Sequence, residues 1–180
     1  KLLTESKEFG DYLENPLYAH LNNDEVIYPG VIKCVACSSV GGISLNIEVS
    51  SFSGNGKVIC TGSLSDVLKE SINVSISYIK SNYKYFGIDE NYFSNRDIHV
   101  HFTENATNKD GPSAGVTLTT ALVSVLTSTP AKANVAMTGE VTLRGNVLPI
   151  GGLREKSMAA HRCGIDTVVI PKLNVKDLDE

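Results

Sequence analysis

The chain has 180 residues, of which 42% are hydrophobic, and this is enough to form one sizeable core. Its 16 basic and 20 acidic residues give a formal net charge of −4, and the sequence pI is about 5.6. This acidic balance argues against nucleic acid or an anionic membrane surface as a partner.

The first part of the chain, residues 1–29, is polar and rich in turn-forming residues, and it contains no apolar signal-peptide stretch. The sequence begins with Lys1 rather than Met, so we expect it to be a piece of a longer chain. We interpret residues 1–29 as a linker and residues 30–180 as the folded domain.

Residues 30–61 alternate between apolar and polar side chains, which predicts β-structure. Two strands, VIKCVACS and ISLNIEVS, precede a turn at Gly54-Asn55-Gly56 and a third strand, KVICTG. The pattern predicts a small antiparallel unit.

Four cysteines could indicate disulfides or a metal site, and Cys34 and Cys37 form a C-x-x-C pair. Both lie in the first predicted strand, where residues three apart point to opposite faces. We therefore expect no shared metal ion, and we expect all four cysteines to be free in a reducing compartment.

The rest of the chain combines helices and strands. Apolar residues at three- and four-residue spacing predict a helix over residues 65–85, with Ser65 as its N-cap. The uncharged residues 111–131 are rich in Ser and Thr and contain two prolines, which favours a buried helix over a membrane span. The later predicted elements are a strand over 97–102, a helix over 113–126, two strands within 134–150 that turn at Arg144-Gly145-Asn146, a helix over 153–163 and a strand over 167–170. This order indicates an α+β, or mixed α/β, domain.

Ser113 is the first candidate for chemistry, because it lies between small residues where a polar loop meets the buried helix. Unpaired N–H groups at a helix start can stabilise an alkoxide and the oxyanion of an acyl intermediate. The alternative is that Ser113 only caps the helix.

A serine nucleophile needs a base, and Lys156 is the candidate. Its neighbours on the same helical face are Ala159 and Ala160, so its amine would be poorly solvated. Desolvation lowers the pKa of a lysine, and a neutral amine can accept the serine proton. The alternative is an ordinary surface lysine, as we expect for Arg154 on the same helix.

These motifs resemble the proteolytic domain of the Lon ATP-dependent protease family, and the resemblance runs in order through most of the chain. The matching stretches are GVIKCVACSSVGG, TGSLSDVLKESI, RDIHVHF, KDGPSAGVTLTTALVSVLT, VAMTGEVTLRGNVLPIGG and LREKSMAAHRCGIDTVVIPKLN. The resemblance implies a Ser-Lys dyad in which Ser113 is the nucleophile and Lys156 is the general base.

The resemblance also implies roles for other residues. Thr138 matches a threonine that hydrogen-bonds the lysine amine, while Asp110 and Glu140 match acidic positions near the site. A carboxylate close to Lys156 would raise the lysine pKa, so one of them would have to move away in the active state. His99 and His101 match family histidines, and we expect them to share one face of a strand and to shape the site or a subunit contact.

The sequence departs from the family pattern at three places. It reads CVACS where relatives have GLAWT, which removes a tryptophan beside the expected substrate groove. Asn108 replaces a proline before KDG, and the sequence stops before the C-terminal strand and helix of the family domain.

The implied protein is a serine endopeptidase that degrades unfolded or damaged proteins as a homohexameric ring. Residues 1–29 would join it to a missing N-terminal ATPase module of the AAA+ class. This chain lacks a G-x-x-x-x-G-K-[ST] motif, so ATP and Mg²⁺ are expected in the missing module, with no cofactor or metal on this chain. We expect a bacterial cytoplasm or, second, a mitochondrial or other organelle matrix.

Two alternatives remain open from the sequence. A Gly111-x-Ser113-x-Gly115 elbow with His161 as base would indicate an α/β-hydrolase-type esterase, but that motif requires a strand directly before the serine. The second alternative is a non-catalytic module that only forms a ring.

Overall fold

The computed structural model describes residues 28–38, 41–104 and 109–178, and these residues form a mixed α/β domain, as predicted. The strands are β1 (Val31–Ser38), β2 (Gly41–Ser53), β3 (Val58–Thr61), β4 (Arg96–Phe102), β5 (Val135–Met137), β6 (Glu140–Val141), β7 (Val147–Leu148) and β8 (Thr167–Val169). The helices are α1 (Asp66–Ser81), α2 (Gly115–Leu126) and α3 (Leu153–Arg162), with short 3₁₀ segments at Tyr92–Ser94, Pro112–Ala114 and Lys172–Leu178. The predicted linker lies almost wholly outside the described residues.

The main sheet has six strands in the order β3-β4-β2-β1-β5-β8, and β6 and β7 form a separate antiparallel pair. β2 pairs antiparallel with both β1 and β4. The pairs β3 with β4, β1 with β5 and β5 with β8 are parallel. Helices connect the parallel neighbours, as such pairs require.

The predicted antiparallel unit is correct for β1 and β2 but wrong for β3. β4 occupies the edge of β2 from Ile47 to Ser53, and β3 pairs with the far side of β4. The Asp97 carboxylate accepts hydrogen bonds from the N–H groups of Asn55 and Lys57, at 2.8 and 2.9 Å. These bonds hold the turn before β3 against β4 rather than β2. A local alternation pattern carries no information about this choice.

Helix α1 begins where the sequence predicts but ends four residues earlier, at Ser81 instead of residue 85. The Ser65 hydroxyl accepts a hydrogen bond from Leu68 N–H at 3.2 Å, which is the expected N-cap contact. At the other end, the Asn82 side-chain amide donates to Tyr78 O at 2.8 Å. This side-chain bond competes with the backbone hydrogen bonds of the helix and lies where the helix ends. The apolar three- and four-residue spacing continues beyond this point, which is why the sequence predicts a longer helix.

The two faces of the sheet are covered differently. Helices α1 and α2 pack on one face of β1, β2 and β4, where Leu118, Val100 and Ile47 are fully buried. Helix α3 packs on the opposite face, where Ala160 meets Val35. No helix of the described ranges is long and apolar enough to cross a membrane.

Residues 134–150 contain three strands, not the predicted two, because β5 belongs to the main sheet while β6 and β7 form their own hairpin. The chain leaves the main sheet after β5, and Gly139 N–H then donates to Ser113 O at 2.7 Å. The predicted turn is confirmed, since Gly145 N–H donates to Thr142 O. α2 starts two residues later than predicted, whereas α3 and β8 each end one residue earlier.

Candidate active site

Ser113 lies in the 3₁₀ turn Pro112–Ala114, immediately before α2. The N-cap of α2 is Ala114, and no side chain makes a capping bond there, so the interpretation of Ser113 as a helix cap is wrong. Its carbonyl oxygen accepts hydrogen bonds from Gly139 N–H and from the Thr138 hydroxyl, the latter at 3.2 Å. These bonds hold the backbone of the serine against the segment between β5 and β6.

The Ser113 side chain borders a cavity of about 310 Å³ that is built from separate parts of the chain. Four residues predicted from the sequence meet there: Ser113, Lys156, Asp110 and Glu140. The other lining residues come from the end of β1 and from the segments beside Ser113 and before α3: Ala36, Cys37, Pro112, Pro149, Ile150 and Gly151.

Lys156 lies in α3 and is only 3% exposed, with Ala159 and Ala160 buried beside it. Burial removes water from the ammonium group and lowers the pKa of Lys156, as predicted from its neighbours. The thiols of Cys37 and Cys34 act in the opposite direction and only weaken this effect. The surface-lysine alternative is therefore wrong for Lys156, whereas Arg154 is exposed as expected.

Thr138 is fully buried at the end of β5. The family resemblance implies that its hydroxyl oxygen accepts a hydrogen bond from the Lys156 amine. In the structure the hydroxyl donates to Ser113 O, so Thr138 contacts the serine side of the pair directly. An oxygen lone pair stays available, since a hydroxyl both donates and accepts.

The Asp110 carboxylate is tied to the start of α1 rather than to the lysine. Its Oδ1 accepts hydrogen bonds from the Ser65 hydroxyl at 2.6 Å and from Gly111 N–H at 2.7 Å. The Ser65 bond and then the backbone bond lower the pKa of Asp110. Ser65 thus caps α1 and also anchors the residue three positions before Ser113, a double role that sequence reasoning missed.

Comparison with known proteins places this chain in a family. A model of the Lon protease C-terminal proteolytic domain matches residues 4–180. The chain belongs to the Lon protease family. It is 53% identical over 169 residues to the Lon protease of Chloroflexus aggregans, which covers 94% of this chain and 20% of that protein.

Other Lon proteases are similarly close to this domain. The chain is 48% identical to the Lon protease of Mycoplasma mycoides, over 94% of the chain and 21% of that protein. Over its whole length it is 46% identical to the Lon protease of Brevibacillus choshinensis, covering 23% of it. The chain therefore spans about a fifth of the length of these relatives.

The three histidines in the described part of this Lon domain lie outside the cavity. His99 and His101 point to the same side of β4, and the Thr61 hydroxyl contacts both rings, at 2.9 and 2.7 Å. His161 is exposed near the end of α3 and does not border the Ser113 cavity. The residues described just before Ser113 form only an isolated bridge from Lys109 to Leu64, so the strand that an esterase elbow requires is missing there.

Asn174 was missed by sequence reasoning, yet it fixes one wall of the cavity. It is 2% exposed, accepts a hydrogen bond from Ile150 N–H at 2.9 Å and donates to Ile150 O at 2.8 Å. Its amide also donates to Asp177 at 2.7 Å. Nothing in the local sequence signals the two Ile150 contacts, because these partners are backbone groups 24 residues away.

Replacing Asn174 by Ala leaves the N–H and C=O of Ile150 without their partners. We expect the free energy of unfolding to fall by about 2–3 kcal/mol. Urea unfolding measures this change, with the exposed Asn73→Ala on α1 as the matched control. An equal effect of the two substitutions would contradict the wall-fixing role of Asn174.

Lys156→Met should stabilise this Lon domain at neutral pH, because the folded chain then no longer holds a poorly solvated ammonium. The folded pKa of Lys156 lies below 10.5, so the cost of burying the charge is present at low pH and disappears as pH rises past 10.5. We expect the unfolding free energy to rise at neutral pH and the gain to shrink as the pH approaches 10.5. Urea unfolding at several pH values tests this, and a gain that grows above pH 10.5 would contradict it.

Proposed function

We propose that this Lon-family domain is a serine endopeptidase in which Ser113 is the nucleophile and Lys156 is the general base. The observation that carries the proposal is the shared cavity: a lysine that is 3% exposed, with a lowered pKa, borders the same space as the serine. No carboxylate of the described residues forms an ion pair with Lys156 that would keep it charged.

In the proposed reaction the neutral Lys156 amine accepts the Ser113 hydroxyl proton as Oγ attacks the carbonyl carbon of the scissile peptide bond. The positive end of α2, which begins two residues after Ser113, stabilises the oxyanion of the tetrahedral intermediate. The intermediate collapses to an acyl-enzyme as the Lys156 ammonium returns its proton to the leaving amine. In the second half of the reaction the Lys156 amine accepts a proton from a water molecule as the water oxygen attacks the ester. The resulting ammonium returns this proton to Ser113 Oγ as the acid product leaves.

The neighbouring polar residues act as supports in this proposal. Thr138 positions Ser113 through the serine carbonyl oxygen, and its free lone pair can accept a hydrogen bond from the Lys156 amine. Asp110 and Glu140 border the entrance, and the Ser65 tether keeps the Asp110 charge from pairing with Lys156. His99 and His101 take no part in the reaction, and their contacts with the Thr61 hydroxyl join β4 to β3.

Unfolded polypeptides are the proposed substrates. A narrow second cavity adjoins Ser113 and has an apolar floor formed by Ile43, Leu45, Leu68 and Phe102. Such a surface favours an apolar side chain next to the scissile bond. Large apolar side chains are mostly buried in folded proteins, so unfolding makes many more of them accessible to the site.

The remaining parts of the proposal concern the longer protein. Residues 1–29 join the domain to an AAA+ ATPase module that uses ATP and Mg²⁺, and the whole assembles as a homohexameric ring. The proteolytic chemistry itself needs no cofactor. The proposed location is a bacterial cytoplasm or, second, an organelle matrix.

Trapping the acyl-enzyme tests the proposed chemistry without the ATPase module. The 180-residue chain is mixed with an activated ester of a short apolar peptide, quenched in acid and digested for mass spectrometry. We expect the peptide acyl group on Ser113. We also expect the apolar ester to acylate Ser113 to a greater extent than a matched ester that carries a charged side chain. Turnover of the ester without any acyl group on Ser113 would overturn the proposal.

A further inference from the structure

The cavity beside Ser113 holds a second nucleophilic side chain, Cys37, which the proposed peptidase mechanism does not use. Cys37 is a free, exposed cysteine near the end of β1, and it lines the cavity with Ser113 and Lys156. Its Sγ donates to Gly152 O at 3.5 Å, and Gly152 is the N-cap of α3. This contact holds the thiol beside the helix that carries Lys156.

The position of Lys156, a buried lysine that borders the same cavity, is a second observation that points to chemistry at this thiol. Its side chain borders the cavity although the residue is 3% exposed, and the groups that influence its charge across the described ranges are the thiols of Cys37 and Cys34. Cys34 is buried, and burial raises the pKa of its thiol to about 11, which keeps it protonated and out of reach of solutes. Cys37 is therefore the thiol beside the amine that a small molecule in the cavity can reach.

We propose that Cys37 is a modification site at which a small disulfide forms a mixed disulfide that reversibly blocks the Ser113 cavity. The proposal rests on the proposed function in one respect, since the blocked reaction is acylation of Ser113. The chemistry at Cys37 itself needs only the thiol, the amine and the disulfide.

The exchange balances without another reactant. The Lys156 amine accepts the Cys37 thiol proton, and the thiolate attacks one sulfur of the disulfide, R–S–S–R. A new S–S bond forms to Cys37 as the old S–S bond breaks, and the other sulfur leaves with the electron pair. It takes a proton from the Lys156 ammonium and departs as R–SH. Cys37 is oxidised, half of the disulfide is reduced, and a reducing thiol reverses both changes.

The attached group occupies the space that a substrate needs. The cavity measures about 310 Å³, and Cys37 borders both this cavity and the adjoining apolar one. A tripeptide-sized adduct on Cys37 fills much of a space of this size. It therefore excludes a peptide from Ser113.

Cys163 provides a matched control, because it is also free and exposed but lies at the opposite end of α3. The 180-residue chain is treated with oxidised glutathione, and acylation of Ser113 by the apolar peptide ester is compared before and after treatment within each variant. We expect treatment to slow acylation at least about tenfold in the wild type and in Cys163→Ser. Dithiothreitol should restore the rate, and treatment should not change it in Cys37→Ala. Equal inhibition in Cys37→Ala, or full acylation of chains that carry the Cys37 adduct, would overturn the proposal.

A second readout does not depend on Ser113. Mass spectrometry follows the adducts on Cys37 and Cys163 in the same chain, and the ratio of their formation rates is compared between the wild type and Lys156→Met. We expect the substitution to lower the Cys37 to Cys163 ratio at least about fivefold. An unchanged ratio would overturn the role of Lys156 at the thiol. If Ser113 is never acylated while the ratio falls, the proposed function fails and the thiol site stands.

Discussion

Ser113→Ala should lower the rate of apolar peptide ester hydrolysis by roughly 10⁴-fold or more, because no other hydroxyl borders the cavity among the residues described. The substitution removes one oxygen and leaves the carbonyl contacts from Gly139 and Thr138 in place. The free energy of unfolding should therefore change by less than about 0.5 kcal/mol. Ester turnover and urea unfolding, measured on the same preparation, check both expectations.

The matched control for this prediction is Ser157→Ala, which removes a hydroxyl from α3 beside Lys156 but not from the cavity lining. It should keep nearly full turnover. Residual turnover by Ser113→Ala above a few per cent of wild type would show that another nucleophile or a bound water performs the hydrolysis. Cys37→Ala on the Ser113→Ala background distinguishes these two sources.

Lys156→Met should lower Ser113 acylation by roughly 10³-fold, because the serine then has no base to accept its proton. Lys156→Arg should be equally inactive, since a guanidinium stays protonated and cannot accept a proton. The matched control is Arg154→Ala on the same helix, which is exposed and should leave the rate within about twofold. Rate constants for the apolar peptide ester measure all three effects.

The dependence of acylation on pH follows from the same lysine. Burial lowers the pKa of Lys156, so its neutral form is populated below the ordinary value of 10.5. The acylation rate should therefore rise with pH and reach a plateau before pH 10.5. Because Ser113 and Lys156 share the transferred proton, the midpoint belongs to the pair rather than to one residue. A rate that keeps rising beyond pH 10.5 would contradict the assignment of a desolvated lysine as the base.

The sequence predicts the parts of this site that depend on local pattern. Two alanines on the Lys156 face indicate a buried amine, and the small residues around Ser113 indicate a turn before a buried helix. Both interpretations hold in the structure. Ser113 and Lys156 are 43 residues apart in the chain, and their proximity is predicted by the family resemblance and not by any local pattern.

The features that the sequence does not predict are set by tertiary contacts. The pairing of β3 with β4 depends on the Asp97 bonds to residues about 40 positions earlier. The hydrogen bonds of Asn174 to Ile150 and of Ser65 to Asp110 likewise join distant segments. Alternation and helical spacing describe only the faces of each element, so they contain no information about such partners.

Cys34 and Cys37 illustrate both what a local pattern predicts and what it does not predict. Their three-residue separation on β1 places the two side chains on opposite faces of the strand, and in the structure Cys34 is buried whereas Cys37 is exposed. Cys37 and Lys156 line the same cavity because α3 packs across the sheet. The α3 backbone passes close to Gly42, where a side chain would collide with Glu155 O.

Covalent labelling by a small serine-directed acylating inhibitor tests the central claim most directly, because it reads Ser113 and its base without an ATPase module. The label is located by peptide mass spectrometry in the wild type, Lys156→Ala, Arg154→Ala and His161→Ala. The Ser-Lys mechanism predicts a label on Ser113 that survives Arg154→Ala and His161→Ala and is lost in Lys156→Ala. A label that persists in Lys156→Ala, or that disappears in His161→Ala, would contradict it.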